Sequence, residues 1–192
     1  MARILLADDG IVFDGQSLEA GPLGGVESSV VNLMHELSKR GHDVHVRNNC
    51  AQALDHRGVS WRPISEAWPD NLDLYIANRG DKIIQRVPDA GRTVFWIHNP
   101  ADYLMKWRYL SKLWWTKPDI IFIGWVHKTT YPAWAPGGDR IDHRVGIIGQ
   151  AVDLQAAPGD RHHGRGVLFA VRHQHDNLVV GQCRRRGDRV ET

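Results

Sequence analysis

The sequence predicts an α/β fold, a mostly parallel β-sheet with helices on both of its faces. Short apolar segments alternate with helical patterns along residues 3–148. Most of these segments are apolar at nearly every position, which is typical of strands that are covered on both faces. A glycine-rich loop separates the first apolar segment from the first helix. Such a loop lies outside the carboxyl end of a strand, where open α/β sheets bind ligands.

The first strand–helix–strand unit is the clearest part of the pattern. We predict strands at residues 3–7 and 43–47 and a helix from about residue 25 to residue 40. Five apolar residues share one helix face, with the spacing i, i+4, i+7, i+8 and i+11: Val26, Val30, Leu33, Met34 and Leu37. Gly41 follows Lys39 and Arg40 and is expected to end the helix. Gly24 and Gly25 would then offer free backbone N–H groups to an anion.

The rest of the chain continues the alternation of strands and helices. Strands are predicted at residues 72–77, 92–97 and 120–125, with a short strand near residues 59–62 and a last strand within residues 140–148. Helices are predicted at residues 81–87 and 101–116, because Pro88 and Pro118 follow them. Residues 127–134 are expected to form a short helix or a turn. Residues 8–24 form a long loop, and loops of this length are often functional.

The predicted helix at residues 101–116 has two faces. Four residues at helical spacing form an expected core stripe: Tyr103, Trp107, Leu110 and Trp114. The other side combines cations with aromatic rings: Met105, Arg108, Tyr109, Lys112 and Trp115. Such a mixture suits an anionic membrane surface, so Arg108, Lys112 and Trp115 are candidates for a peripheral membrane contact. The alternative is a solvated face, or one packed under a loop.

Composition limits the possible classes of protein. The chain has 192 residues, 42% of them hydrophobic and 24% charged, with a net charge of +2, which gives no reason to expect nucleic acid as a partner. No apolar run approaches the roughly 20 residues of a membrane span, and the N-terminus lacks the plan of a signal peptide. Cys50 and Cys183 have no metal-binding spacing, and we expect free thiols in a reducing cytoplasm.

Two common α/β families fit the opening of the chain poorly. A receiver domain would use Asp8 and Asp9 together with an Asp at the end of a central strand, but the strand predicted at residues 72–77 is followed by Asn78 and Arg79. A dinucleotide-binding domain needs its glycines directly after the first strand. Here they come only at Gly21, Gly24 and Gly25.

A third family accounts for more of the chain. Gly24-Gly25-Val26-Glu27 opens the first long helix, Gly41-His42-Asp43-Val44 ends it before the second strand, and Phe95-Trp96-Ile97-His98-Asn99 places a histidine at a strand end. This order resembles the N-terminal domain of retaining glycosyltransferases of the GT-B fold and GT4 type. The resemblance covers roughly residues 3–150. It implies a Rossmann-like sheet, the N-terminal half of a GT-B fold.

The resemblance also implies a function for several residues. The chain would supply the acceptor-side domain of an enzyme that transfers a sugar from a nucleotide sugar to a glycan or lipid-linked acceptor, without metal or other cofactor. His98 would be the catalytic residue, in contact with the donor sugar. The expected substrate-binding residues are Gly24, Gly25, Glu27, Asp9, Asp14 and Asn99. Each also has a structural interpretation: glycines can serve helix packing, Glu27 the helix dipole, and Asp9 and Asp14 turns.

The last part of the chain departs from the family pattern. We expect residues 1–150 to form the acceptor-side domain, and residues 151–192 to be a linker with a fragment of the C-terminal domain, or a disordered tail. The family's C-terminal domain carries a basic residue and a pair of Glu for the nucleotide sugar, and neither is found here. The sequence therefore suggests a truncated or frameshifted gene product. We expect it in the cytoplasm, or peripherally at the inner face of the membrane. The alternative function is a catalytically inactive remnant or binding module with the same fold.

Overall fold

The structure is a computed structural model that describes residues 1–136, 168–172 and 178–182. Seven strands of these residues form one sheet: β1 Arg3–Asp8, β2 Asp43–Asn48, β3 Leu54–His56, β4 Val59–Pro63, β5 Leu74–Asn78, β6 Thr93–Ile97 and β7 Asp119–Phe122. Their order in the sheet is β3-β4-β2-β1-β5-β6-β7, and every neighbouring pair is parallel except β3 and β4. The prediction of an α/β fold with a mostly parallel sheet is confirmed.

The helices of the described chain are α1 Ser17–Ala20, α2 Gly25–Lys39, α3 Trp107–Thr116 and α4 Trp125–Thr129, with a 3-10 helix at Ala101–Met105. Alternate residues of each strand point to opposite faces of the sheet. Leu6 and Val46 therefore join α2 in one buried cluster, while Leu5 and Phe95 join α3 in another. Both faces are covered by helices, which explains why the strands are apolar at nearly every position.

Helix α2 follows the sequence prediction closely. Its buried residues include Val30, Leu33, Met34 and Leu37, while Val26 is half-buried. Gly41 has a φ of 78°, and its N–H donates to the carbonyl of Ser38 at 2.8 Å. The N–H of the next residue donates to the carbonyl of Leu37, which completes a Schellman motif. The predicted end of the helix at Gly41 is confirmed.

Two predicted helices need correction on the other face of the sheet. Residues 81–87 form hydrogen-bonded turns, with Arg86 N–H donating to the carbonyl of Ile83, and not a helix. The predicted helix at residues 101–116 is broken at Lys106, whose ψ of 138° is extended. The 3-10 helix before this break and α3 after it therefore do not share one helical phase. Pro118 still follows the end of α3, as predicted, after Lys117 adopts a left-handed conformation with φ 47°.

The predicted core stripe on this segment is wrong at Trp107 and Trp114. Trp107 is 72% exposed and Trp114 is 43% exposed, whereas Leu110 is buried as expected and Tyr103 is half-buried. Tyr109, which we had expected on the outer side, is buried. The residues that face the core from α3 are Tyr109, Leu110 and Leu113.

The remaining predictions fall partly outside the described residues. Helix α1 and strand β3 were not predicted, and β4 confirms the short strand expected near residues 59–62. The strand predicted within residues 140–148 lies outside the described residues, as does Cys183. Two strands of the tail are described: β8 Leu168–Arg172 pairs antiparallel with β9 Leu178–Gln182, which we did not predict.

Candidate functional site

The candidate site lies where the order of the strands reverses. From β1 the chain first builds the sheet towards β2 and β4, and then returns to the other side of β1 to add β5, β6 and β7. Asp8 ends β1, and Asn78, which ends β5, lies directly opposite it in the parallel register. Open α/β sheets bind ligands in the crevice outside this point, because the connections leave the two strand ends in opposite directions.

A chain of side-chain hydrogen bonds crosses the ends of three strands. The amide nitrogen Nδ2 of Asn78 donates to Oδ2 of Asp8. The Oδ1 atom of Asn78 lies 2.7 Å from Nε2 of His98, which follows β6. Asp8 and Asn78 are both fully buried, and His98 is half-buried. The sheet therefore brings one carboxylate, one amide and one imidazole into a line at its carboxyl edge.

An arginine connects this line to α2. Arg79 Nη2 lies 2.7 Å from Oε1 of Glu27 and 3.1 Å from Oδ1 of Asp8. Both carboxylates are buried, so the guanidinium compensates two negative charges that would be costly to bury alone. The backbone of Arg79 also contacts α3, because Tyr109 Oη donates to its carbonyl at 3.3 Å. We call the five side chains Asp8, Glu27, Asn78, Arg79 and His98 the strand-end cluster.

His98 is held as a neutral imidazole by its surroundings. Burial and, second, the positive charge of Arg79 lower its pKa from 6.5 to about 4. The ring also packs on Trp96, with the two ring centroids 4.6 Å apart. At neutral pH His98 can therefore form a hydrogen bond with a ligand, but it adds no positive charge to the site.

The glycine loop lies beside the cluster, at the exposed N-terminus of α2. Gly24 precedes the first turn, and a Cβ there would lie 2.3 Å from Oε2 of Glu27. Gly25 is different, because a Cβ there would meet no atom within 4 Å. A Cβ at residue 24 would thus displace the Glu27 carboxylate, whereas the protein itself leaves the space around Gly25 open.

The structure separates the other predicted site residues. The carboxylate of Asp9 lies next to the cluster, where a Cβ on Gly80 would be 2.1 Å from its Oδ1 atom. Burial and, second, the negative charge of Asp8 raise the pKa of Asp9. Asp14 instead closes a local turn, accepting at Oδ1 from the N–H of Gln16 and from Ser17 Oγ. Asn99 is exposed beside His98.

Three members of the cluster were not predicted from the sequence as site residues: Asp8, Asn78 and Arg79. Each was visible only as a residue at the end of a predicted strand. A usable signal was present, because polar residues at the ends of neighbouring parallel strands meet at one edge of the sheet. What was missing was the strand order, which makes β1 and β5 neighbours. The polar character of Asn78-Arg79 served only to argue against a receiver domain.

Among the described residues, no group of three or more His, Cys, Asp or Glu side chains is arranged to hold a metal ion. Within the same residues, none of the helices has the length and apolar character needed to cross a membrane. Comparison of the chain with protein families, with curated proteins and with solved structures gave no match.

Proposed function

We propose that the chain is the acceptor-side domain of a GT-B glycosyltransferase, with a Rossmann-like fold. The site beside its strand-end cluster, at the N-terminus of α2 and at His98, would bind a nucleotide sugar together with a glycan or lipid-linked acceptor. The observation that carries the proposal is the open space around Gly25, next to a buried polar cluster at the reversal of strand order. The resemblance of Gly24-Gly25-Val26-Glu27 and of the strand-end His98 to the GT4 pattern supports the same assignment.

The chemistry of the site suits such a ligand. Backbone N–H groups in the first turn of α2, together with the helix dipole, can stabilise the negative charge that develops on a leaving diphosphate. A side chain at residue 25 would hold the phosphate away from these groups, although it would not disturb the protein. His98 is uncharged and offers hydrogen bonds suited to a sugar hydroxyl rather than to a phosphate.

Isothermal titration calorimetry of the full chain with UDP-glucose and GDP-mannose tests the proposal. We expect binding of at least one nucleotide sugar, weakened about tenfold or more by Gly25→Val, which corresponds to about 1.4 kcal/mol. Gly21→Val is the matched control, because Gly21 also has no atom within 4 Å of a Cβ and lies in the same loop outside α2. The absence of heat with both probes would instead favour a binding module without transferase activity.

The outer face of α3 supports a contact with an anionic membrane, which would present a lipid-linked acceptor. Trp107, Trp114 and Trp115 are exposed there, Trp115 by 83%, and tryptophan prefers the interface between lipid and water. Arg108 lies on the same outer face, and Lys106 precedes the helix. Lys112, the other cation expected here, has its Nζ atom 2.8 Å from the Asp81 carboxylate, and Arg108 Nε lies 3.8 Å from the same carboxylate.

Cosedimentation with vesicles tests this contact. We expect the full chain to bind vesicles that contain phosphatidylglycerol more strongly than vesicles of phosphatidylcholine alone. The double variant Trp107→Ala/Trp115→Ala should reduce binding, while Arg57→Ala, in the turn between β3 and β4, should leave it unchanged. Equal binding of the double variant and the original chain would contradict a role for α3.

A further inference from the structure

We infer that Asp8 and Asn78 are positioning residues that hold His98 in a single tautomer, with the proton on Nε2 and a free lone pair on Nδ1. The ligand group that His98 receives is then a hydrogen-bond donor such as a hydroxyl. The position of the proton follows from the strand-end cluster alone. Only the identity of the hydroxyl, that of a sugar, rests on the proposed function.

The argument begins with Asp8. Three donors converge on its carboxylate: the N–H of Gly10 at 2.6 Å, Nη2 of Arg79 at 3.1 Å, and Nδ2 of Asn78. A carboxylate in an ion pair with a guanidinium only accepts hydrogen bonds. The group of Asn78 that faces Asp8 must therefore be its NH2 group.

This requirement fixes the orientation of the Asn78 amide. If the amide were flipped, its oxygen would face the Asp8 carboxylate, and two acceptors would lie in contact inside the protein. The side chain of Asn78 is fully buried, so no solvent would relieve that repulsion. Oδ1 of Asn78 is therefore the atom that faces His98.

The tautomer of His98 follows from the same rule. Oδ1 of Asn78 only accepts hydrogen bonds, so Nε2 of His98 at 2.7 Å must carry the proton. In a neutral imidazole the other nitrogen, Nδ1, then holds a lone pair. Within the described part of the chain, no side chain or backbone group forms a hydrogen bond with Nδ1. A ligand hydroxyl can donate to this atom, whereas a phosphate oxygen cannot.

The site thus offers a ligand two different kinds of contact. The first turn of α2 presents backbone N–H groups, which suit an anion. His98 presents an acceptor, which suits a hydroxyl. The hydrogen-bonded series Asp8, Asn78 and His98 therefore favours a ligand that carries both an anionic group and a hydroxyl group. Asp8 and Asn78 act through His98 and do not touch the ligand.

Nuclear magnetic resonance of the 15N-labelled full chain without ligand tests this inference at about pH 7. Long-range 1H–15N correlations of the His98 ring should show protonated Nε2 and unprotonated Nδ1, with an Nε2–H proton protected from exchange with water. In Asn78→Leu, which removes the acceptor at similar volume, we expect this protected resonance to be lost.

Asn99→Ala is the matched control, because Asn99 is the exposed neighbour of His98 and should leave the resonance unchanged. A proton on Nδ1, an imidazolium at neutral pH, or an unchanged resonance in Asn78→Leu would each overturn the inference. The first two outcomes need no variant, so the inference remains testable if Asn78→Leu does not fold. Because no ligand is present, the result is independent of whether nucleotide sugars bind.

Discussion

Helices α2 and α3 cover opposite faces of the same sheet, yet the sequence predicted one correctly and the other with the wrong side facing inward. Helix α2 carries aliphatic residues on one side and has a glycine next to each end. Helix α3 carries aromatic residues on both sides: Tyr109 faces the core, and Trp107, Trp114 and Trp115 face outward. The difference shows that hydrophobic spacing locates a buried face only when the opposite face is polar.

Whether the buried face was predicted correctly also depended on locating the first residue of each helix. Gly24 precedes α2 directly, so its first turn could be located in the sequence. For the other face the sequence predicts one helix over residues 101–116, but the extended backbone at Lys106 separates Tyr103 from α3. A stripe counted from Tyr103 therefore continued onto the outer residues Trp107 and Trp114. The two tryptophans do lie on one side of the helix, since their ring centroids are 6.1 Å apart, but this side is exposed.

The largest expected effect tests which side of α3 is buried. Leu113→Ala should lower the free energy of unfolding by about 2–5 kcal/mol, as should Leu37→Ala in α2, because both side chains are fully buried. Trp107→Ala should change it by no more than about 0.5 kcal/mol, because that side chain is exposed. Urea unfolding followed by circular dichroism measures all three. A cost for Trp107→Ala equal to that for Leu113→Ala would restore the core stripe predicted from the sequence.

An intermediate effect is expected from His98 in the strand-end cluster, which lies between the two helices. Arg79 of this cluster binds Glu27 of α2 and accepts a hydrogen bond from Tyr109 of α3 at its backbone carbonyl. Burial lowers the pKa of His98 to about 4, so between pH 6.5 and pH 4 the unfolded chain binds more protons than the folded one. Stability should therefore fall as the pH is lowered through this range. We expect His98 to contribute about 1–2 kcal/mol of this loss between pH 7.5 and pH 5.

Urea unfolding of the original chain and of His98→Gln at the two pH values isolates this contribution. The variant should lose less stability on acidification, because glutamine does not titrate. Parallel losses in the two proteins would show that His98 titrates normally in the folded state, and would place its ring in water rather than against Asn78.

The smallest expected effect tests the end of α2. Gly41→Ala should cost about 1 kcal/mol, because φ at this residue is 78° and a Cβ strains the left-handed conformation. A Cβ there would meet no atom within 4 Å, so sterics with neighbouring residues add nothing. Gly25→Ala is the control, because Gly25 lies within the regular helix and has the same free space. An unchanged midpoint of urea unfolding in Gly41→Ala would mean that the Schellman motif does not hold the helix end.

The candidate site, like the pair of helices, was predicted only in part from the sequence. Glu27 and His98 were identified from the sequence, and the structure brings both into the strand-end cluster. Asp14 was also identified, but its carboxylate closes a turn with Gln16 and Ser17. Asp8, Asn78 and Arg79 escaped the prediction, because their importance depends on the contact between β1 and β5. The roles of all these residues in sugar transfer stay a prediction.

By itself, the sequence determined the alternation of strands and helices, the limits of α2, and the position of the glycine loop at its start. These features depend on local rules, namely side-chain periodicity, the preference of glycine for positive φ, and the inability of proline to continue a helix. Tertiary structure decided the order of the strands, the inward side of α3, and the partners of Arg79. These depend on contacts between residues far apart in the chain: Asn78 binds Asp8 across 70 residues, and only the folded sheet brings their two strand ends together.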